Sequence, residues 1–228
     1  LIPGPLAVLP VAVLLAVTAT VYLLTLPGVG DAGARVDAIL AHHGGHASSL
    51  PPPRRLGEAI VSTEDENFYD EAFVNVAAGA GRAAVAALGT SEDPGGSTIS
   101  QQLAKALYPH DGGLTGTLEE IGIGLKLSLA YSHEQVLSMY LNSIYYGNGY
   151  WGDVAAAHGY FGVGPRHLTW AEAAMLAGLP QAPTAYDPLH HPALARERQQ
   201  HVLDQLVING HLTKSAAAQA FAERLPLR

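Results

Sequence analysis

The sequence predicts a mostly α-helical protein with an N-terminal transmembrane helix. Three observations lead there: an uncharged apolar run from Leu6 to Leu26, helix-type apolar spacing from Leu56 onward with no alternating strand of useful length, and repeated helix-start signatures. The 228 residues suit one domain with an appendage, since single domains usually run to about 100–200 residues.

The first element is the apolar run. No charged residue precedes Asp31, and only Pro10, Thr18, Thr20, Tyr22 and Thr25 interrupt the apolar side chains. As a helix the run is about 32 Å long, which matches a bilayer core of about 30 Å. A soluble helix would need a polar face that this stretch lacks, a buried core helix is the alternative, and the apolar region of a cleavable signal peptide is usually about 7–15 residues, so a retained anchor over residues 1–27 is the preferred reading.

Residues 28–56 read as a linker rich in Gly, Pro, Ser and His, with one helical candidate from Asp31 to His42 and three prolines at 51–53. Residues 57–228 form the remaining domain. Helix starts are predicted at Thr117, Ser132 and Thr169, each three residues before Glu120, Gln135 and Glu172. Glycines punctuate the aromatic stretch from Gly147 to Gly164, Pro180, Pro183 and Pro188 break the chain, and a last helical pair covers about 191–207 and 213–223.

Composition restricts function. Charged residues make up 14% against a typical share of about 25%, so part of the surface is expected to face a membrane. A net charge of −8 argues against nucleic-acid partners. There is no cysteine, which excludes disulfides, thiolate metal sites and cysteine nucleophiles. The histidines show no metal-ligand spacing and most read as loop or surface residues, so no metal site is predicted.

Three segments carry candidate chemistry. Glu64-Asp65-Glu66-Asn67-Phe68-Tyr69 follows the apolar Ala59-Ile60-Val61; it supplies either a general base or acids that complement a helix dipole. In Gly95-Gly96-Ser97-Thr98-Ile99-Ser100-Gln101-Gln102-Leu103-Ala104-Lys105, glycines lead into hydroxyls, amides and a lysine at a helix opening. That pattern favours an anion or sugar hydroxyls, while an N-cap by Ser97 explains part of it, and the lysine is too far from the glycines for a nucleotide P-loop. The stretch Gln135 to Gly152 is rich in aromatics and asparagine: Tyr140, Tyr145 and Tyr160 read as core, and Trp151 as the more exposed ring.

Together these motifs resemble glycosyltransferase family 51, the glycan-polymerising domain of class A penicillin-binding proteins and monofunctional peptidoglycan transglycosylases. The match runs from about Leu56 to Leu206. It comprises Glu64-Asp65-x-x-Phe68; Gly96-x-Thr98-Ile99-x-Gln101-Gln102-x-x-Lys105; Tyr140-Leu141-Asn142 with Tyr146-Gly147; Ala173-x-x-x-Ala177-Gly178-Leu179-Pro180-Gln181-Ala182-Pro183; and Arg196-x-Arg198-x-x-x-Val202-Leu203. The resemblance implies a lysozyme-like helical domain with a small membrane-associated subdomain, on the extracytoplasmic side of the cytoplasmic membrane.

It also implies roles. Glu64 is the expected base and Glu120 the second catalytic glutamate, with a capping role beside Thr117 as the alternative for Glu120. Asp65, Phe68, Ser97, Thr98, Gln101, Gln102, Lys105 and Asn142 are the expected substrate-binding residues. The partners are a lipid-linked disaccharide-pentapeptide, the growing glycan strand and the membrane. No cofactor is required, with a divalent cation such as Mg²⁺ or Mn²⁺ at the pyrophosphate as the one candidate. No SxxK motif occurs in these residues, so a transpeptidase is expected as a separate partner.

The sequence departs from the family in places. Gly116-Thr117 stands where the family has a basic pair, an arginine expected near Ala130 is missing, and Glu71-Ala72 replaces His-Gly. These losses make Lys105, Arg82 and the closing arginines the remaining phosphate candidates. They also motivate two alternatives: a non-catalytic scaffold that binds glycan or lipid precursor, and a lysozyme-like hydrolase.

Overall fold

The computed structural model describes residues 5–48, 51–70, 97–110 and 112–228. Helices α1 (Pro5–Thr25), α2 (Ala32–His42), α3 (Arg54–Glu64), α4 (Ile99–Leu107), α5 (Leu114–Ala130), α6 (His133–Ser143), α7 (Gly152–Phe161), α8 (Trp170–Gly178), α9 (Pro192–Ile208) and α10 (Lys214–Ala222) follow in chain order, with a 3-10 turn at Pro165–His167. Among the described residues the one β-type pairing is an isolated bridge between Tyr145 and Trp151.

The helices form two packed groups that share one core. In the first, α3, α8 and α9 pack against one another and α10 closes on α9. Every residue of α8 from Ala171 to Gly178 is buried. Its alanines keep that helix thin, which lets Leu56 and Ile60 of α3 and Val202, Leu203 and Leu206 of α9 approach from two sides. In the second group α4 packs on α5 and α6, and α2 lies on α6. The C-terminus of α3 meets the second group, and Glu64 sits at that seam.

Local signals set several helix ends. Ser132 and Thr169 head complete capping boxes with Gln135 and Glu172, as their spacing predicts. The predicted start at Thr117 is corrected: α5 begins at Leu114 behind Gly113, whose φ of 86° suits glycine, and the Thr117 hydroxyl donates back to the Gly113 carbonyl from inside the helix. The cap of α4 is Thr98 rather than Ser97, boxed with Gln101.

Residues 28–56 are docked over much of their described length rather than free as a linker. Ala32, Val36 and Leu40 of α2 are buried in the common core. Tyr131 donates to the Val29 carbonyl at 2.8 Å, Tyr108 to Asp31 at 2.8 Å, and Arg35 to the Leu107 carbonyl at 3.1 Å.

Helix α1 is 21 residues long and carries no charge. Its described side chains are those of Pro10, Val13, Leu14 and Val17 to Thr25, and among the described residues no helix is long and apolar enough to cross a membrane. The C-terminal end of α1 is fixed to α5. Gly122 lets Leu26, Leu23 and Tyr22 close over it, and the Lys126 ammonium donates to the Leu26 carbonyl at 2.9 Å and the Leu23 carbonyl at 3.3 Å. A lysine at those last carbonyls complements the negative end of the helix.

Candidate active site

Glu64 ends α3, where the helix stops and the side chain leaves the apolar face formed by Leu56, Ala59 and Ile60. Only 12% of the side chain is exposed, so both carboxylate oxygens need partners. Oε1 accepts from Arg198 Nη2 at 3.2 Å, and Oε2 accepts from Gln102 Nε2 at 3.1 Å. Arg198 comes from α9, is equally shielded, and also donates from Nε to the Gly178 carbonyl at 3.4 Å. Gly178 leaves the room for this: a Cβ there would lie 2.7 Å from Arg198 Cγ.

Gln102 is held from three sides. Besides Glu64, its Nε2 donates to the Ser97 carbonyl at 3.4 Å, and its Oε1 accepts from the Tyr140 hydroxyl at 2.7 Å. Asp65 joins α3 to α4 by accepting from the Ile99 amide at 3.0 Å, one of the unsatisfied donors of the helix start. Burial pushes its carboxyl above the usual carboxylate range, and the Ile99 amide offsets part of this. Thr98 and Gln101 are buried and cap α4.

Lys105 lies one turn beyond Gln102 on α4, is exposed, and has no partner among the described residues. It follows Gln102 by three positions, about 60° away around the helix, so it shares the Glu64 side of α4. Phe68 is buried, edge-on to His133 and Tyr69. It anchors the loop after Glu64 through packing.

Two predicted site residues lie apart from this cluster. Asn142 is buried and its amide is engaged at both ends: Oδ1 accepts from the Ser48 amide at 2.6 Å and Nδ2 donates to the Ser138 carbonyl at 2.7 Å. In this arrangement it ties the segment after α2 to α6. Glu120 pairs with His110 at 2.8 Å, and both side chains are largely shielded.

The remaining sequence candidates divide as follows. Lys126 is occupied at the end of α1. Tyr140 and Tyr160 are core residues, as expected, whereas Tyr145 is only half-buried, and Trp151 is half-buried with His43 stacked on it at 4.5 Å. Glu71, Ala72, Arg82, Gly95 and Gly96 lie outside the described residues. Among the described residues no group of three or more His, Asp and Glu gathers to hold a metal ion. Tyr140 acquires a polar contact to the site that its apolar helix spacing concealed; its position one helical turn from buried neighbours gave only a core signal.

A shielded carboxylate paired with an arginine beside an amide-bearing helix start, with an exposed lysine one turn on, can accept a proton and receive an anion. The transglycosylase family profile matches residues 43–207. The chain belongs to the transglycosylase family. It is similar to a protein described as a transglycosylase from Cupriavidus necator, 38% identical over 177 residues, covering 77% of this chain and 76% of that one. It is also similar to penicillin-binding protein 1F of Bacillus subtilis, 36% identical over 177 residues, where the match covers 77% of this chain and 25% of the relative.

Penicillin-binding protein 1A of Haemophilus influenzae superposes with a TM-score of 0.41 and 28% identity over 57% of this chain and 16% of that one, too loosely to add to the case. Membership makes this chain an enzyme, a peptidoglycan glycosyltransferase that polymerises glycan. The transglycosylase motifs span both helix groups, and Glu64, Gln102 and Arg198 come from three of them.

Proposed function

We propose that this transglycosylase joins lipid-linked disaccharide-pentapeptides into β-1,4 glycan on a lysozyme-like helical domain, with Glu64 as the base. Glu64 takes the proton of the acceptor 4-hydroxyl as that oxygen bonds to the donor anomeric carbon; the anomeric carbon–oxygen bond breaks from the opposite face, and its electron pair leaves with undecaprenyl pyrophosphate. The anomeric configuration inverts. Lys105, exposed on the Glu64 side of α4, receives the pyrophosphate charge. The observation that carries this reading is the Glu64 carboxylate, shielded yet held at both oxygens by donors, Arg198 and Gln102.

The substrate's lipid requires a membrane, and two features support membrane attachment: the uncharged α1, and an apolar strip along α5. Leu114, Leu118 and Leu129 are exposed and Ile121 and Leu125 half-buried; at about 100° per residue all five fall within an arc of about 80°. With Val21 and Leu24, exposed on α1, they form a surface suited to lipid, with the domain on the extracytoplasmic side. A separate transpeptidase is the expected partner for the product strand.

Glu120 is the residue that would bring a divalent cation to the pyrophosphate, and its carboxylate is paired with His110. Mg²⁺ or Mn²⁺ would be held there by Glu120, and polymerisation in the presence of EDTA tests whether the ion is needed.

The deciding experiment is polymerisation of purified lipid-linked precursor by wild type and Glu64→Gln, with products resolved on a gel. The expected result is polymer from wild type and a rate about 10²–10⁴-fold lower from the variant. Precursor bound but unpolymerised by both would establish a binding scaffold instead, and shortening of preformed glycan without lipid substrate would establish a hydrolase.

A further inference from the structure

Behind the carboxylate of Glu64 the structure continues for one more layer. Tyr140 rises from α6 into the core, with its side chain fully buried. Burial, followed by the nearby Glu64 charge, holds its phenol well above the ordinary tyrosine value, so the hydroxyl keeps its proton throughout the working pH range. That single proton is directed at Gln102 Oε1, 2.7 Å away. An amide oxygen only accepts, so the direction of this hydrogen bond is fixed.

The two ends of a glutamine amide have nearly the same shape and opposite hydrogen-bonding character. With Oε1 held by Tyr140, Nε2 must face Glu64 Oε2 at 3.1 Å. Reversal of the amide would put a carbonyl oxygen against a carboxylate and take from the Tyr140 proton the acceptor it has here. The other contact that favours the observed orientation, Nε2 to the Ser97 carbonyl, is long at 3.4 Å.

We propose that Tyr140 is a positioning residue for the transfer reaction: through Gln102 it fixes a hydrogen-bond donor on Glu64 and keeps that carboxylate aimed. The proposal rests on the reading of Glu64 as the base. Tyr140 touches no reacting atom. Its effect is carried by an amide it orients.

The test is a double-mutant cycle read across pH. Initial polymerisation rates are measured from about pH 5 to 9 for wild type, Tyr140→Phe, Gln102→Leu and the double variant. Tyr140→Phe keeps the buried ring and removes the hydroxyl. It should move the acid limb of kcat/KM to higher pH and slow the reaction about tenfold below that limb, about 1.4 kcal/mol. Gln102→Leu should move the limb in the same direction.

In the Gln102→Leu background, Tyr140→Phe should change the rate by less than about twofold, because the group through which it acts is gone. Equal losses in both backgrounds, or an unmoved acid limb in Tyr140→Phe, would overturn the proposal, since a purely structural tyrosine behaves that way. If Tyr140→Phe fails to fold, the limb of Gln102→Leu decides: unmoved, it also overturns the proposal. Glu64→Gln separates the two readings. A variant that retains its rate removes Glu64 as base and the proposal with it, whereas an inactive Glu64→Gln beside an unmoved limb in Tyr140→Phe removes the proposal alone.

Discussion

Two glycines on one helix offer a test of how tightly α4 is seated. Gly122 and Gly124 lie on α5, and alanine at either gains about 1 kcal/mol of helix propensity. Their surroundings differ. A Cβ at Gly122 would lie 2.3 Å from Leu26 Cδ1, a terminal methyl that can swing aside, and its next neighbours are at 3.4 and 3.5 Å. A Cβ at Gly124 would meet Gln101 N and Cα at 3.1 Å and Cγ at 3.2 Å. Backbone cannot rotate away, so α4 must move by a few tenths of an ångström.

Overpacking of this kind costs about 1–3 kcal/mol, which outweighs the propensity gain at Gly124 and not at Gly122. Gly122→Ala should therefore be neutral or slightly stabilised, and Gly124→Ala should melt several degrees lower, at about 2–4 °C per kcal/mol for a chain of this size. The displaced helix carries Gln102 and Lys105, so the Gly124→Ala polymerisation rate should also fall by about threefold to tenfold, given that about 1 Å of misplacement costs about a hundredfold. Thermal unfolding and initial rates of both variants, side by side, provide the check. Equal melting temperatures with unchanged rates would refute a close backbone contact between α4 and α5.

Three further outcomes are expected. Gly178→Ala should displace Arg198 from Glu64, lower melting by several degrees, because a hydrogen bond to a charged group contributes about 1.5–3 kcal/mol, and slow polymerisation about tenfold or more; a normal rate would dismiss Arg198 as a partner of the base. Lys126→Met should detach the end of α1 and lower melting by several degrees, about 2–4 °C per kcal/mol lost, while sparing the Glu64 cluster; an unchanged melt would mean the contact is not stabilising. Asp153 is fully buried, and among the described residues neither oxygen meets a donor with hydrogen-bond geometry.

Burial raises the Asp153 carboxyl from 3.8 to about 7, and the Val154 amide and Ser48 side chain offset only part of the shift. Between those values the unfolded chain has released a proton that the folded chain still holds, so stability falls as pH rises from about 4 to 7 and is level above. Asp153→Asn should flatten that slope in a pH series of melting curves.

Much of the fold was legible because helix signals are local. The Ser132 and Thr169 boxes, the candidate at 31–42 and the last helical pair depend on contacts within four residues, and the structure has all of them. The Thr117 box failed for a related reason: the same spacing occurs inside a helix, and only the chain before it, Gly113 in its left-handed conformation, decides where the helix begins. The 28–56 segment read as a linker because its Gly and Pro content hid three apolar positions of α2 that find the core.

Sequence alone determined the helical class, the order of the motifs and the emergence of Glu64 from an apolar helix, since each follows from spacing along the chain. Tertiary structure alone decided what Glu64 touches: Arg198 lies 134 residues away, and Gln102 lies 38 away with Tyr140 a further 38 beyond it. It also directed Lys126 to α1 and His110 to Glu120. Periodicity reports which face of a helix is apolar, whereas a polar contact between distant segments depends on how those faces pack, to within the few tenths of an ångström that separate a hydrogen bond from a gap.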